Sequence, residues 1–287
     1  MSLARALLDY GRRVVRLSVF SALSMIPPIA LGAAPLCERI VATGNSQYPP
    51  ILWVDPEDDT RLIGAGAELL EKVLAQSDIK LEMLNVGPWS RAQEEVRSGR
   101  VDMLAGAFLT RPRLGQMDYI HPAYAEVPSV IFVRADGIFP YSGWDDLRGK
   151  VGSTVLNNSF GNAFDRFSAD FLDMQTVPSI EQSFQKLLRG RADYVIYERH
   201  QGLALAQQMG ITDDLDIIDG SLMNEHLYLT LSHNSACNSP DLRAALAQGM
   251  YDLTLDNEPQ RLLEKYREVW AQQQITAGAV PGPAINE

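Results

Sequence analysis

The segment from Arg100 to Tyr124 holds the side chains best placed for chemistry. It runs Arg100-Val101-Asp102-Met103-Leu104-Ala105-Gly106-Ala107-Phe108-Leu109-Thr110-Arg111-Pro112-Arg113, then Met117-Asp118-Tyr119-Ile120-His121-Pro122-Ala123-Tyr124. The apolar run predicts a strand with a glycine-containing turn at its end, after which Thr110 and Pro112 lead to Arg113. Thr110 as an N-cap would leave free backbone N–H groups and the Arg113 guanidinium on one side. That pairing binds an anion twice, through a helix N-terminus and through a bidentate fork. The competing reading is an ordinary surface arginine in a loop.

Catalytic signatures are missing. The chain has no HExxH, no CxxC and no GxSxG; the nearest approach, Asn157-Asn158-Ser159-Phe160-Gly161, lacks the first glycine. The four histidines, His121, His200, His226 and His233, are dispersed and read as surface or structural groups, so no metal site is expected. Gly64-Ala65-Gly66 lacks the third glycine of a dinucleotide loop, and Asp55, Glu57, Asp58 and Asp59 just upstream would repel a pyrophosphate. It reads as a flexible entry into a helix, with no cofactor.

The elements that must position these residues alternate between strand and helix. Strand patterns fall at Glu38–Thr43, Lys80–Val86, Asp102–Phe108, Ser129–Arg134, Lys150–Leu156, Asp193–Tyr197, Leu215–Ile218 and Leu227–Leu231. Helical patterns fall at Ala67–Ala75, Ser90–Ser98, Ser159–Asp170 and Ser179–Leu188. Pro240 and Pro259 open the first turns of two last helices, which end near Leu255 and Gln274. Repeated βα units predict an α/β protein with mainly parallel sheets flanked by helices.

The net charge of -11 argues against nucleic acid and anionic membrane surfaces as partners. The N-terminus runs against that trend. Arg5, Arg12, Arg13 and Arg16 precede an apolar run from Leu17 to Leu31, and Ala30, Gly32, Ala33 and Ala34 follow. This is the layout of a secretory signal, too short to span a bilayer comfortably, with residues 1–34 removed on export to the periplasm. The alternative is a retained anchor, which Pro27 and Pro28 weaken. Ile275 to Glu287, with Gly278, Pro281, Gly282 and Pro283, reads as a disordered tail.

Four motifs, in this order and spacing, resemble the family 3 bacterial extracellular solute-binding proteins, the polar-amino-acid binders of ABC importers. They are Tyr48-Pro49-Pro50; Trp89 with Gly99-Arg100-Val101-Asp102; Thr110-Arg111-Pro112-Arg113 with Pro122-Ala123-Tyr124; and Asp146-Leu147-Arg148-Gly149-Lys150-Val151-Gly152, echoed by Gly190-Arg191-Ala192-Asp193 and Glu198. The resemblance covers the chain from about Ile40 to Trp270. It implies a monomeric two-lobed fold of the periplasmic-binding type. Lobe one would take residues 35–126 and 227–274, and lobe two 127–226. Two hinge crossovers would lie near Val127–Phe132 and Gly220–Leu227.

The resemblance also implies roles. Tyr48 and Trp89 would sandwich the ligand side chain, Arg113 would pair with an α-carboxylate, and Glu198 would receive an α-ammonium. Asn158 and Ser159 would offer donors at a helix N-terminus. Gly106 and Phe108 complete the expected lining. Phe108 stands where amino-acid binders usually carry Ser or Thr, and Asn158 where they carry Thr or Ser, so a less polar amino acid or a related carboxylate is open as ligand. Cys37 begins the first strand of lobe one, and Cys237 follows a strand expected to run antiparallel to it. A bridge between them is feasible if their Cα atoms lie within about 4.4–6.8 Å.

The main reading is therefore a binding protein, not an enzyme, that delivers a small molecule to ABC importer membrane subunits. Two alternatives compete. One is an enzyme on the same fold, resembling periplasmic cyclohexadienyl dehydratases, for which Glu198 is the one nameable acid–base group. The other is a ligand sensor that docks on a separate receptor chain.

Overall fold

The computed structural model describes residues 37–278 apart from 76, 219 and 221, so the signal-like segment lies outside the described residues. The chain opens with β1 (Arg39–Thr43), β2 (Gln47–Tyr48), β3 (Leu52–Asp55), β4 (Asp58–Ile63), α1 (Ala65–Leu74), β5 (Lys80–Met83), α2 (Trp89–Arg97) and β6 (Met103–Phe108). There follow α3 (Arg111–Leu114), β7 (Met117–Arg134), β8 (Val151–Val155), α4 (Asn162–Phe171), β9 (Asp173–Val177) and α5 (Ile180–Leu188). The last are β10 (Tyr194–Glu198), α6 (Arg199–Gln208), β11 (Leu215–Ile217), β12 (Met223–Ser232), α7 (Pro240–Leu255) and α8 (Glu258–Gly278).

The main sheet runs in the order β5-β1-β6-β12-β7-β10-β8-β9, with β11 on the far end of β7. Its two ends are parallel blocks, β5-β1-β6 and β10-β8-β9. Between them β12 and β7 run antiparallel to each other and to their outer neighbours. The 18-residue β7 belongs to both ends: Met117 pairs with Ser232, while Phe132 pairs with Val195. Hydrogen bonding is thus continuous across the whole sheet, carried through its middle by the antiparallel pair β7 and β12. A three-stranded antiparallel sheet, β2-β3-β4, stands apart.

Alternation along these strands divides the core. Val130 and Phe132 of β7, with Val195 and Tyr197 of β10, join the larger apolar cluster. Ile131 and Val133, with Tyr194 and Ile196, face a second cluster around Phe160 and Phe164. β6 is buried at every position but Gly106, as a strand with neighbours on both sides requires. α5 buries Ile180, Ser183, Phe184 and Leu187, a single helical stripe, and its Ser179 N-cap accepts the Gln182 N–H. Each such apolar side chain contributes roughly 1.5–3 kcal/mol when fully buried.

Gly99-Arg100-Val101-Asp102 and Gly190-Arg191-Ala192-Asp193 do the same structural work at β1 and at β8. Asp102 accepts the Val41 N–H of β1 at 2.8 Å, and Asp193 accepts the Val151 N–H that opens β8, also at 2.8 Å. Cys37 and Cys237 are bonded, with Cα atoms 5.1 Å apart and 200 residues between them in sequence.

Several expectations are corrected. Gly64-Ala65-Gly66 is not a loose entry: a Cβ on Gly64 would lie 2.3 Å from the Ile51 carbonyl oxygen, and one on Gly66 2.6 Å from that of Ala105. These glycines admit a close backbone approach. α4 begins at Asn162 and not at Ser159. α8 runs to Gly278, four residues into the expected tail. The chain between Tyr48 and Ile63 forms β2, β3 and β4 where no strands were expected, and β9 and α6 were likewise not anticipated.

Candidate functional site

The cavity sits where strands end. Gly106, Ala107 and Phe108 close β6, Asn158 lies in the turn after β8, and Glu198 is the last residue of β10; all three line it. Tyr48 ends β2, Trp89 opens α2, and Arg113 comes from the short α3. Asn45, Ile51, Leu52 and Leu227 fill the remaining wall. Carboxyl ends of parallel strands in an α/β sheet are the usual place for a ligand crevice, because there the loops diverge and leave backbone groups exposed. The free space inside is about 20 Å3, enough for about one water molecule.

Of the expected site residues, Tyr48, Trp89, Gly106, Phe108, Arg113, Asn158 and Glu198 are brought together here. Ser159 is not part of the lining. Its hydroxyl donates to the Asp165 carboxylate and accepts the Gly161 N–H, and Asp165 also accepts the Phe160 N–H at 2.9 Å. Asp165 thereby holds residues 157–161 as a turn, with Asn157 at a φ of 62°. The donors expected at a helix start are consumed locally.

Arg113 is buried, at 6% exposure, and each guanidinium nitrogen already meets a protein acceptor. Nη1 donates to the Phe108 carbonyl at 3.1 Å, and Nη2 to the Asn157 carbonyl at 3.3 Å. Nε and Nη2 together straddle Gln93 Oε1 at 3.3 and 3.0 Å. The amide oxygen of Gln93 thus sits on the face of the fork that would take a carboxylate. The guanidinium also stacks on the Trp89 ring, 5.3 Å from its centroid. Thr110 occupies the N-cap position of α3, but its side chain makes no capping bond. Burial lowers the Arg113 pKa, with Tyr119, Asp165 and Glu198 opposing it.

Glu198 is 1% exposed. Its Oε1 accepts the Asn158 amide at 3.3 Å, while Oε2 has no hydrogen-bond partner among the described residues. Burial pushes this carboxyl up to about 7, against the opposing pull of its own backbone N–H, Asn158 and Arg113. Tyr48 Oη and Trp89 Nε1 are buried and likewise without a partner among the described residues. Three polar atoms with unmet hydrogen-bonding capacity, on residues lining one cavity, are costly unless something else meets them.

Sequence reasoning missed Asn45, Gln93 and Tyr197. Tyr197 meets Tyr48 edge-on at 6.3 Å, accepts the Asn45 amide at 3.3 Å and donates to the Gln47 carbonyl at 3.3 Å. Gln93 also donates to the Asn157 carbonyl at 3.2 Å. The only signal for Gln93 was its place four residues after Trp89, one helical turn along α2.

Residues 40–269 match the family described as bacterial extracellular solute-binding proteins, family 3. No curated protein matches the chain in sequence. Among solved structures, a mutant of ArgBP from T. maritima aligns with a TM-score of 0.67 at 19% identity, covering 80% of this chain and 96% of its own. A histidine kinase sensor domain with similarity to periplasmic binding proteins aligns with a TM-score of 0.67 at 23% identity, covering 79% of this chain and 95% of its own. An amino acid ABC transporter substrate-binding protein from Streptococcus pneumoniae, bound to L-arginine, gives 0.67 at 18% identity, over 81% and 96%. At these identities the likeness establishes a shared fold.

Proposed function

The chain belongs to the family 3 bacterial extracellular solute-binding proteins and has a two-lobed α/β fold; from that premise we propose that it captures an amino-acid-like zwitterion in the periplasm by lobe closure, for ABC-type import. The observation that carries this reading is one guanidinium and one carboxylate, Arg113 and Glu198, both buried on the walls of a single cavity. Opposite charges on the walls of one cavity match the two charges of a free amino acid.

We assign residues 35–126 and 227–274 to one lobe and 127–226 to the other. Tyr48, Trp89 and Arg113 then come from lobe one, and Asn158 and Glu198 from lobe two. The ligand binds the closed form better than the open one, because each lobe alone offers only one charge. The hinge follows the paired stretch of β7 and β12, where Met223 to Leu227 face Ser129 to Ala125. Residues 1–34 serve as the export signal, and the working form is a monomer. Mass spectrometry of small molecules released from the purified, unfolded protein tests this: an amino acid should be recovered, and a ligand lacking a carboxylate would refute it.

One observation favours an enzyme instead. A carboxyl pushed up to about 7 is tuned for proton transfer near neutral pH. An offered amino acid that is recovered converted, with conversion lost in Glu198→Gln, would establish that second reading.

A further inference from the structure

We propose that the site selects a zwitterion with a compact, uncharged side chain and rejects cationic and acidic amino acids. This rests on the amino-acid-binding reading above and narrows its ligand class.

The argument is one of charge count. Among the described lining residues Glu198 is the sole acid and Arg113 the sole base. An α-ammonium and an α-carboxylate use up both. A second cation, as on arginine or lysine, would be buried without a counter-charge. The neighbouring acids Asp165, Glu181 and Glu225 do not line the cavity. Asp165 accepts Ser159 and Phe160, and Glu181 accepts the Gln47 amide in a separate groove lined by Ser46, Pro178 and Ser179.

Aromatic faces are only a partial substitute for a counter-charge. Trp89 already carries the Arg113 guanidinium, and Tyr48 packs edge-on against Tyr197. A second carboxylate fares no better, since every Arg113 nitrogen is engaged and no other base lines the cavity. No Ser or Thr lines it either. Apart from the Asn45 and Asn158 amides, which donate to Tyr197 and Glu198, what remains for a side chain is Ile51, Leu52, Phe108 and Leu227, all at most 4% exposed. The free space among them is about 20 Å3, so any ligand enters by separating these walls, and a larger side chain must separate them further.

Calorimetric titration of the protein, freed of ligand by unfolding and refolding, tests this near pH 8, where Glu198 is ionised. The panel is glycine, L-alanine, L-serine, L-valine, L-phenylalanine, L-arginine, L-lysine and L-glutamate. The tightest binder should be one of the first four, at least about 100-fold tighter than arginine, lysine or glutamate. If a charged amino acid binds within tenfold of the best neutral one, or phenylalanine is tightest, the selectivity is overturned while the amino-acid reading stands. If no member binds, the reading itself fails and takes this inference with it.

Discussion

Glu198→Gln isolates the energetic cost of keeping a carboxyl in this site. In the folded protein the group holds its proton up to about 7, whereas its ordinary value, which the unfolded chain retains, is 4.5. Between those values the folded state binds one more proton than the unfolded state, so stability falls as pH rises. The stabilising contribution is complete below 4.5 and is lost as pH passes 7. Each pH unit in that window is worth about 1.4 kcal/mol, so the full swing is about 3 kcal/mol. Glutamine keeps the shape and the acceptor for Asn158 but cannot ionise, and lacks this term. Urea unfolding of parent and variant, without ligand, from about pH 4 to pH 8.5 gives the difference directly, and other titrating groups cancel. The two should be nearly equal in stability at the acid end, with the variant ahead by about 3 kcal/mol at the alkaline end. A difference that does not change with pH would refute the claim that Glu198 is buried and half-satisfied in the fold.

Other expectations concern the walls and the frame. Arg113→Ala should weaken an amino acid ligand by about 2–5 kcal/mol in calorimetry, because a desolvated carboxylate loses its counter-charge; unchanged affinity would move the site elsewhere. Tyr48→Ala and Trp89→Ala should weaken every ligand irrespective of charge, and Trp89→Ala should also lower selectivity for carboxylates, since Arg113 loses the ring it stacks on. Gln93→Ala should raise affinity by about tenfold, because Gln93 Oε1 competes for the Nε/Nη2 face of Arg113; a loss of affinity would show that Gln93 instead orients the guanidinium. Replacing Cys37 and Cys237 together by serine should cost about 2–4 kcal/mol of stability, seen as a lower thermal midpoint, since the bridge constrains 200 residues of unfolded chain.

The βα alternation was legible because each block repeats a local pattern. The stripe Ile180, Ser183, Phe184, Leu187 and the largely buried apolar run of β6 are properties of a few consecutive residues. What escaped detection depends on distant partners. Trp53 of β3 packs edge-on against Tyr266 and Trp270 of α8, more than 200 residues away, a partner that no local pattern reveals. Only the end of β7 was recognised, since Pro122 and Pro128 interrupt the pattern and the pairing that overrides them comes from β12. The start of α4 was misplaced for a similar reason: Asp165 reaches back to Ser159 and Phe160 and holds them as a turn.

The candidate site shows the same division more sharply. Side chains that carry charge or a large ring, such as Arg113, Glu198, Trp89 and Tyr48, stand out by type and spacing, and the fold gathers all four around one cavity. Residues that decide how those groups are used do not stand out. Gln93 is an unremarkable helix residue until α2 turns it onto Arg113, and the Asn157 carbonyl that both of them meet belongs to a turn 64 residues further along. The consequence is mechanistic. Arg113 is anchored by neighbours from α2, from β6 and from the turn after β8. A carboxylate that displaces Gln93 from it would also loosen the Gln93 contact to Asn157, and on the proposed lobe assignment that couples occupation of the anion end to a contact across the cleft. Glu198 has no such internal substitute: its Oε2 meets nothing among the described residues. The two ends are therefore unequal before a ligand arrives. If an amino acid binds as proposed, its carboxylate would exchange one partner of Arg113 for another, whereas its ammonium would give Glu198 Oε2 a partner it lacks, so the larger share of the binding free energy would fall to Glu198.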